Sequence, residues 1–175
     1  MGTQTIWGEA DYAKKIARGI MSYSTPSHGG IHLSPSRQSE MPDALRIESG
    51  WYEEDCDWCL VAINYAEYFM AEYDQAMNTF KNWHPDRFEK HLGIELKDGE
   101  SHVKDERLFK ERNNGNFLVR TAWGDWHNKV PEGMVGVLAK RESDGKERYF
   151  LVPHSEYGSH FVVDIERHVE WEGTE

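Results

Sequence analysis

Cys56 and Cys59 lie three residues apart in Trp51-Tyr52-Glu53-Glu54-Asp55-Cys56-Asp57-Trp58-Cys59, a stretch that crowds carboxylates, thiols and large aromatic rings together. Three chemistries can use such residues. The first is thiol nucleophilic catalysis. His28 and His32 precede Cys56 in the order found in permuted papain-like hydrolases and acyltransferases, and a helix N-terminus at Cys56 would favour its thiolate. The surrounding acids oppose this. A like charge at about 4 Å costs about 1 kcal/mol in water and about 4 kcal/mol at an effective dielectric near 20. The helix dipole returns at most about 2 kcal/mol. Cys56 is therefore expected to be a poor nucleophile, and both cysteines read more simply as small buried apolar residues.

The second chemistry is metal binding. His28 and His32 are separated by about 13 Å if the chain between them is extended, too far to share an ion unless Gly29-Gly30 bends sharply and Asp125 or His127 joins them. A lone C-x-x-C supplies half of a structural zinc site. No metal and no cofactor is expected. The third chemistry is recognition. Trp51, Tyr52 and Trp58 beside Glu53, Glu54, Asp55 and Asp57 combine anchoring rings with charges that steer a basic partner. Trp123, Asp125 and Trp126 offer a second patch of the same kind.

Four acids exceed what one helix start requires, so the expectation is an outward-facing acidic and aromatic surface. The whole composition agrees. Twenty Lys and Arg against 31 Asp and Glu leave a formal charge of −11, which disfavours direct binding to a phosphate backbone. Lys14, Lys15, Arg18, Lys104 and Arg107 are too diluted by acids to form a nucleic-acid face. No apolar run reaches the roughly 20 residues of a membrane span, and no signal-peptide pattern opens the chain. A cytoplasmic protein with reduced thiols is expected.

The elements that must position these groups can be read along the chain. Residues 8–23 place Ala13, Ile16, Ala17 and Ile20 at helical spacing, and Ser24-Thr25-Pro26-Ser27 ends that element. His28 to Leu33 forms a glycine turn entering a strand. Ser34-Pro35 starts a short helix toward Leu45, interrupted near Pro42. Cys56 to Met70 reads as a helix continuing from the acids, with an alternating strand pattern at Val61, Ile63 and Tyr65 as the competing reading. Helices follow over 72–83 and 85–92, the second ended by Gly93, and a charged helix runs from a cap at Ser101 to about residue 112.

After Asn113-Asn114-Gly115 the period changes to two. Phe117, Val119, Thr121 and Trp123 share one face of a strand. A second strand covers Met134 to Lys140, and Asp144-Gly145 makes a hairpin. Tyr149 to Val152 is apolar on both faces, as in a central strand. His160 to Ile165 gives a fourth, with Phe161, Val163 and Ile165 inward. The expected fold class is α+β, with N-terminal helices packed on a C-terminal four-stranded antiparallel meander. At 175 residues this fits a single domain, with its core over about 8–165 and a frayed acidic tail over 166–175.

Four strings carry a family resemblance: Thr25-Pro26-Ser27-His28-Gly29-Gly30-Ile31-His32-Leu33-Ser34, Gly50-Trp51-Tyr52-Glu53-Glu54-Asp55-Cys56, Asn82-Trp83-His84-Pro85-Asp86, and Ser101-His102-Val103-Lys104-Asp105-Glu106-Arg107. Together they resemble a domain of unknown function from proteins of bacteria, phages and plasmids, over roughly residues 25–165. No catalytic assignment accompanies it. The resemblance implies a setting among mobile-element accessory genes, near antirestriction and other counter-defence functions. With the acidic surface, this gives the expected function: an anti-CRISPR or antirestriction type of effector, a DNA mimic. Its partner would be a host defence complex with a basic nucleic-acid-binding groove. A Cys56/His28 hydrolase is the alternative, and a homo-oligomeric structural or regulatory domain is a third.

Overall fold

The computed structural model describes residues 3–173. The chain forms two compact units, residues 1–105 and 106–175. The first opens with a small hairpin of β1 (Gln4–Thr5) and β2 (Gly8–Glu9). Next come β3 (Tyr12–Ala17), β4 (Ile20–Ser24) and β5 (Gly29–Leu33), then the short helix α1 (Pro35–Ser39) and strand β6 (Trp51–Glu53). Strands β3 to β6 form a four-stranded antiparallel sheet in chain order.

Residues 8–23 are thus strands, and the helix expected there is corrected. Ala17 pairs with Ile20, so Arg18-Gly19 is a two-residue hairpin turn, and Gly19 takes φ +78°. A bulge between Lys15 and Ala17 sets Ile16 and Ala17 side by side, both half-buried. That doubling imitates a helical stripe in the sequence. α1 begins as expected: the Ser34 hydroxyl accepts the Arg37 N–H at 3.4 Å and Pro35 sits in the first turn. It stops at Ser39, short of Leu45.

The acids are also placed differently. Trp51–Glu53 is strand, and residues 54–57 form a turn leading into α2 (Trp58–Asn64), whose first turn contains no acid. The reading of the carboxylates as a helix start is corrected. α2 ends at Tyr65, whose hydroxyl donates to the Arg37 carbonyl at 2.6 Å, and a single 3-10 turn follows over Ala66–Tyr68. The expected helix to Met70 is therefore cut short. Helices α3 (Tyr73–Trp83) and α4 (Pro85–Leu92) match expectation, with Gly93 at φ +67° closing the second. α5 (His102–Arg112) does too, and Ser101 accepts the Lys104 N–H at its start. The core of this unit joins Ile20, Ile31, Leu33 and Tyr52 of the sheet to Leu60, Val61 and Phe80 of the helices.

In the second unit β7 (Phe117–Trp123), β8 (Met134–Arg141) and β9 (Glu147–Pro153) form the expected meander. Two short edge strands, β10 (Val162–Val163) against β7 and β11 (Val169–Glu170) against β9, make the sheet five-stranded rather than four-stranded. The fourth strand expected over His160 to Ile165 shrinks to two residues, with Val163 buried and Ile165 exposed. A bulge between Val119 and Thr121 breaks the single face expected along β7. Part of the segment expected to fray pairs instead, since β11 lies on β9. Phe117, Val137, Phe150 and Val152 form the core of this sheet. The fold is α+β, and its helices are not N-terminal: α1 lies between β5 and β6, and α2 to α5 lie between β6 and β7 in the chain. Among the described residues no helix is long and apolar enough to cross a membrane.

Candidate functional site

β5 and β6 sort the central motif by alternation. Ile31 faces Tyr52 across the pair, and His32 faces Trp51. Ile31, Leu33 and Tyr52 go to the core, so Tyr52 is fully buried rather than displayed. Its hydroxyl donates to Gln38 Oε1 at 2.9 Å and accepts the Ile47 N–H at 3.2 Å. This corrects Tyr52 as a surface contact residue: period-two alternation turns it inward between two neighbours that face out.

The opposite face of the sheet carries a half-buried aromatic row. Trp51 lies 4.3 Å from the His32 ring and 5.5 Å from both Trp7 and Tyr23, the Trp7 contact being edge-to-face. Gly30 makes room for it, since a Cβ there would stand 2.4 Å from Trp7 and 2.3 Å from the Tyr52 carbonyl. Burial lowers the pKa of His32 from its ordinary value. His28 is exposed at the turn before β5, where its backbone N–H bonds the Thr25 hydroxyl.

Beyond β6 the acids form a tight turn. The Glu53 carboxylate accepts the Asp55 N–H at 2.8 Å, and the Glu54 N–H bonds the Gly29 carbonyl. Glu54 and Asp55 are exposed, and among the described residues no cation pairs with Glu53, Glu54 or Asp55. Asp57 behaves differently. It occupies the N-cap position of α2 with helical backbone angles, and its side chain makes no cap bond. Instead Oδ1 lies 3.2 Å from His84 Nε2. Burial pushes the Asp57 carboxyl up, but the His84 bond and charge outweigh it and hold the group below its ordinary range.

His84 comes from the junction of α3 and α4, fixed there by Pro85, and its Nε2 is also 3.3 Å from the Cys56 carbonyl. Cys56 Sγ is 3.8 Å from Asp57 Oδ1. Burial, then the charges of Asp57 and Glu53, push the Cys56 thiol up to about 11. Cys59 is fully buried, its thiol donates to the Cys56 carbonyl, and burial raises it to about 12.

The thiol, a carboxylate oxygen and a ring nitrogen of Cys56, Asp57 and His84 lie within 4.8 Å of one another. Among the described residues no other such group of three donors occurs, and this one includes neither His28 nor His32. Trp58 is half-buried against the core. Trp123 packs on Tyr149 and Trp171, Trp126 is 77% exposed, and Asp125 accepts the Gly133 N–H within its loop. The residue that individual readings passed over is His84. Its string Asn82-Trp83-His84-Pro85 marks a helix junction, but only the tertiary fold brings it to Cys56.

No curated protein and no solved structure matches the chain. A family model, described as a domain of unknown function, DUF7007, matches residues 1–114, a span containing the sheet, the acidic turn and His84. On that match the chain belongs to the DUF7007 family.

Proposed function

We propose that the protein acts by binding, as an effector of phage or plasmid type that occupies the basic nucleic-acid groove of a host defence complex. The observation that carries this reading is the Glu53-Glu54-Asp55 turn. Its three carboxylates lack a cationic partner among the described residues and sit at the end of an edge strand, beside a half-buried aromatic face. Unpaired acids repel one another and contribute little to folding, so their use is toward an outside cation. The rings of Trp51, Trp7 and Tyr23 supply apolar area that a partner can desolvate. The counter-defence setting implied by the family resemblance supplies the partner class.

A thiol hydrolase draws less support. The thiol of Cys56 is held at about 11, and the histidine that reaches its residue is engaged by Asp57.

The test is affinity capture from a bacterial host lysate with the wild-type chain and with Glu54→Lys combined with Asp55→Lys. Both side chains are exposed, so the fold is retained. The expected outcome is capture of a nucleic-acid-binding defence component that double-stranded DNA displaces and that the double reversal weakens by ~10-fold or more. Capture indifferent to both DNA and charge reversal discards the reading.

A further inference from the structure

We infer that Cys56, Asp57 and His84 form a site for a borderline-soft divalent cation, with Zn2+ as the fitting ion. Tetrahedral zinc, with bonds of about 2.3 Å to sulfur and 2.0–2.2 Å to nitrogen and oxygen, sets its donors about 3.3–3.6 Å apart. Here His84 Nε2 and Asp57 Oδ1 are 3.2 Å apart and Asp57 Oδ1 and Cys56 Sγ 3.8 Å apart, with the whole trio inside 4.8 Å.

The arrangement is a triangle and not a relay. In a catalytic triad the histidine turns one ring nitrogen to the nucleophile and the other to the acid. In this protein the same Oδ1 meets both His84 Nε2 and the Cys56 sulfur, while Nε2 also lies 3.3 Å from the Cys56 carbonyl oxygen. The three donor atoms all lie within 4.8 Å of one another.

A second observation concerns the backbone that presents Asp57. Asp57 precedes the first residue of α2 with helical backbone angles, φ −79° and ψ −25°, and not the extended angles from which a capping side chain bonds the first free N–H groups. It makes no such bond and is directed to His84 instead. The donor set of one sulfur, one imidazole and one carboxylate suits zinc better than the all-oxygen preference of Mg2+ or Ca2+. Three protein ligands leave a fourth position. The side chains of His84 and Asp57 keep 17% and 24% exposure, so that position is reachable from solvent. On binding, the Cys56 S–H bond breaks, its proton leaves to solvent, and the sulfur lone pair makes the metal bond. The ion would tie the turn before α2 to the α3–α4 junction, 28 residues further on.

The experiment uses the full chain, stripped with a chelator and titrated separately with Zn2+ and Co2+. Expected are one equivalent bound, a thiolate-to-cobalt charge-transfer band with ligand-field bands of tetrahedral intensity, displacement of Co2+ by Zn2+, and a Zn2+-dependent rise in melting temperature. Cys56→Ser and His84→Gln should each weaken binding by at least ~100-fold, beyond the 10–100-fold typical of outer-shell partners. Asp57→Asn, which preserves shape, should weaken it also, whereas Cys59→Ser should leave the cobalt spectrum unchanged. Absence of the charge-transfer band in the wild-type chain overturns the site. So does a band that survives His84→Gln but disappears in Cys59→Ser, which would place the metal on the two thiols. Circular dichroism identifies any variant that fails to fold, and the wild-type cobalt spectrum decides the matter independently of the variants.

Discussion

The stretches at 51–58 and 123–127 read alike as sequence, each setting tryptophans beside acids, and the fold treats them oppositely. In the first, strand alternation divides the residues: Tyr52 goes to the core, Trp51 joins an aromatic row, and Glu54 and Asp55 remain open. In the second, Trp123 is covered by Tyr149 and Trp171, and the chain then leaves the sheet and exposes Trp126. Composition alone does not decide display. The position of each residue in a paired strand or a loop does.

The two sheets also share a device. Trp7 lies over Gly30 in the first, and Trp171 lies over Gly136 in the second. In each a large ring covers a strand where the neighbouring residue has no side chain.

The sharpest break in the comparison is a pair of truncations. Tyr52→Ala should destabilise the first unit by about 3–5 kcal/mol, because a large core side chain is lost and its hydrogen-bond partners are left unpaired. Trp126→Ala should change stability by less than about 0.5 kcal/mol, as for an ordinary surface position. Urea unfolding followed by tryptophan fluorescence for Tyr52→Ala, and by circular dichroism for Trp126→Ala, measures both. Equal losses at the two positions would refute the assignment of one ring to the core and the other to solvent.

The glycines give a finer test. A Cβ at Gly30 meets the Tyr52 carbonyl at 2.3 Å, which is backbone and cannot move aside, as well as Trp7. The nearest atoms to a Cβ at Gly136 belong to the edge of the Trp171 ring, at 2.4 Å. Gly30→Ala should therefore cost about 1–3 kcal/mol, and Gly136→Ala about 1 kcal/mol or less once the ring tilts. The ratio of the two urea midpoints is the measurement. A larger loss at Gly136 would mean that the Trp171 ring cannot tilt away from the strand.

Where local chemistry decides the structure, the sequence was legible. Ser34-Pro35, His84-Pro85, Gly93 and Ser101 mark helix ends through caps and fixed dihedrals, and all four appear where expected. The meander from Phe117 to Val152 followed from alternation and the Asp144-Gly145 turn. The failures arise from bulges and from distance. The bulge between Lys15 and Ala17 gave a strand the look of a helix, and the one between Val119 and Thr121 moved side chains to the other face. β10 and β11 have two residues each, too few for any periodicity. At the candidate site the carboxylates and Cys56 stood out by type. Their division into an open trio and a His84-bound Asp57 depends on packing between elements 28 residues apart, which no local pattern encodes.

The last contrast concerns what becomes of acids in the two regions. The 53–55 turn leaves its carboxylates without cations among the described residues, whereas four acids of the second unit are clamped: Glu142 by Arg120, Glu170 by Arg148, Glu156 by Arg167, and Asp144 by Arg141. The Asp144 clamp is bidentate, at 3.0 and 2.6 Å, and with the Lys146 N–H it closes the hairpin. The Arg141 guanidinium holds this carboxyl at about 2, against about 3.9 for an unfolded aspartate. Because the folded value is depressed, the contribution is fully present above about pH 4 and is lost as pH falls toward 2. The pair is partly open to water, which screens it, so the effect on stability should be the smallest of those proposed. A carboxyl 13C titration by NMR should find the Asp144 midpoint near 2 and see it return toward the unfolded value in Arg141→Met. An unmoved midpoint in that variant would mean that the hairpin backbone, rather than the arginine, keeps the charge in place.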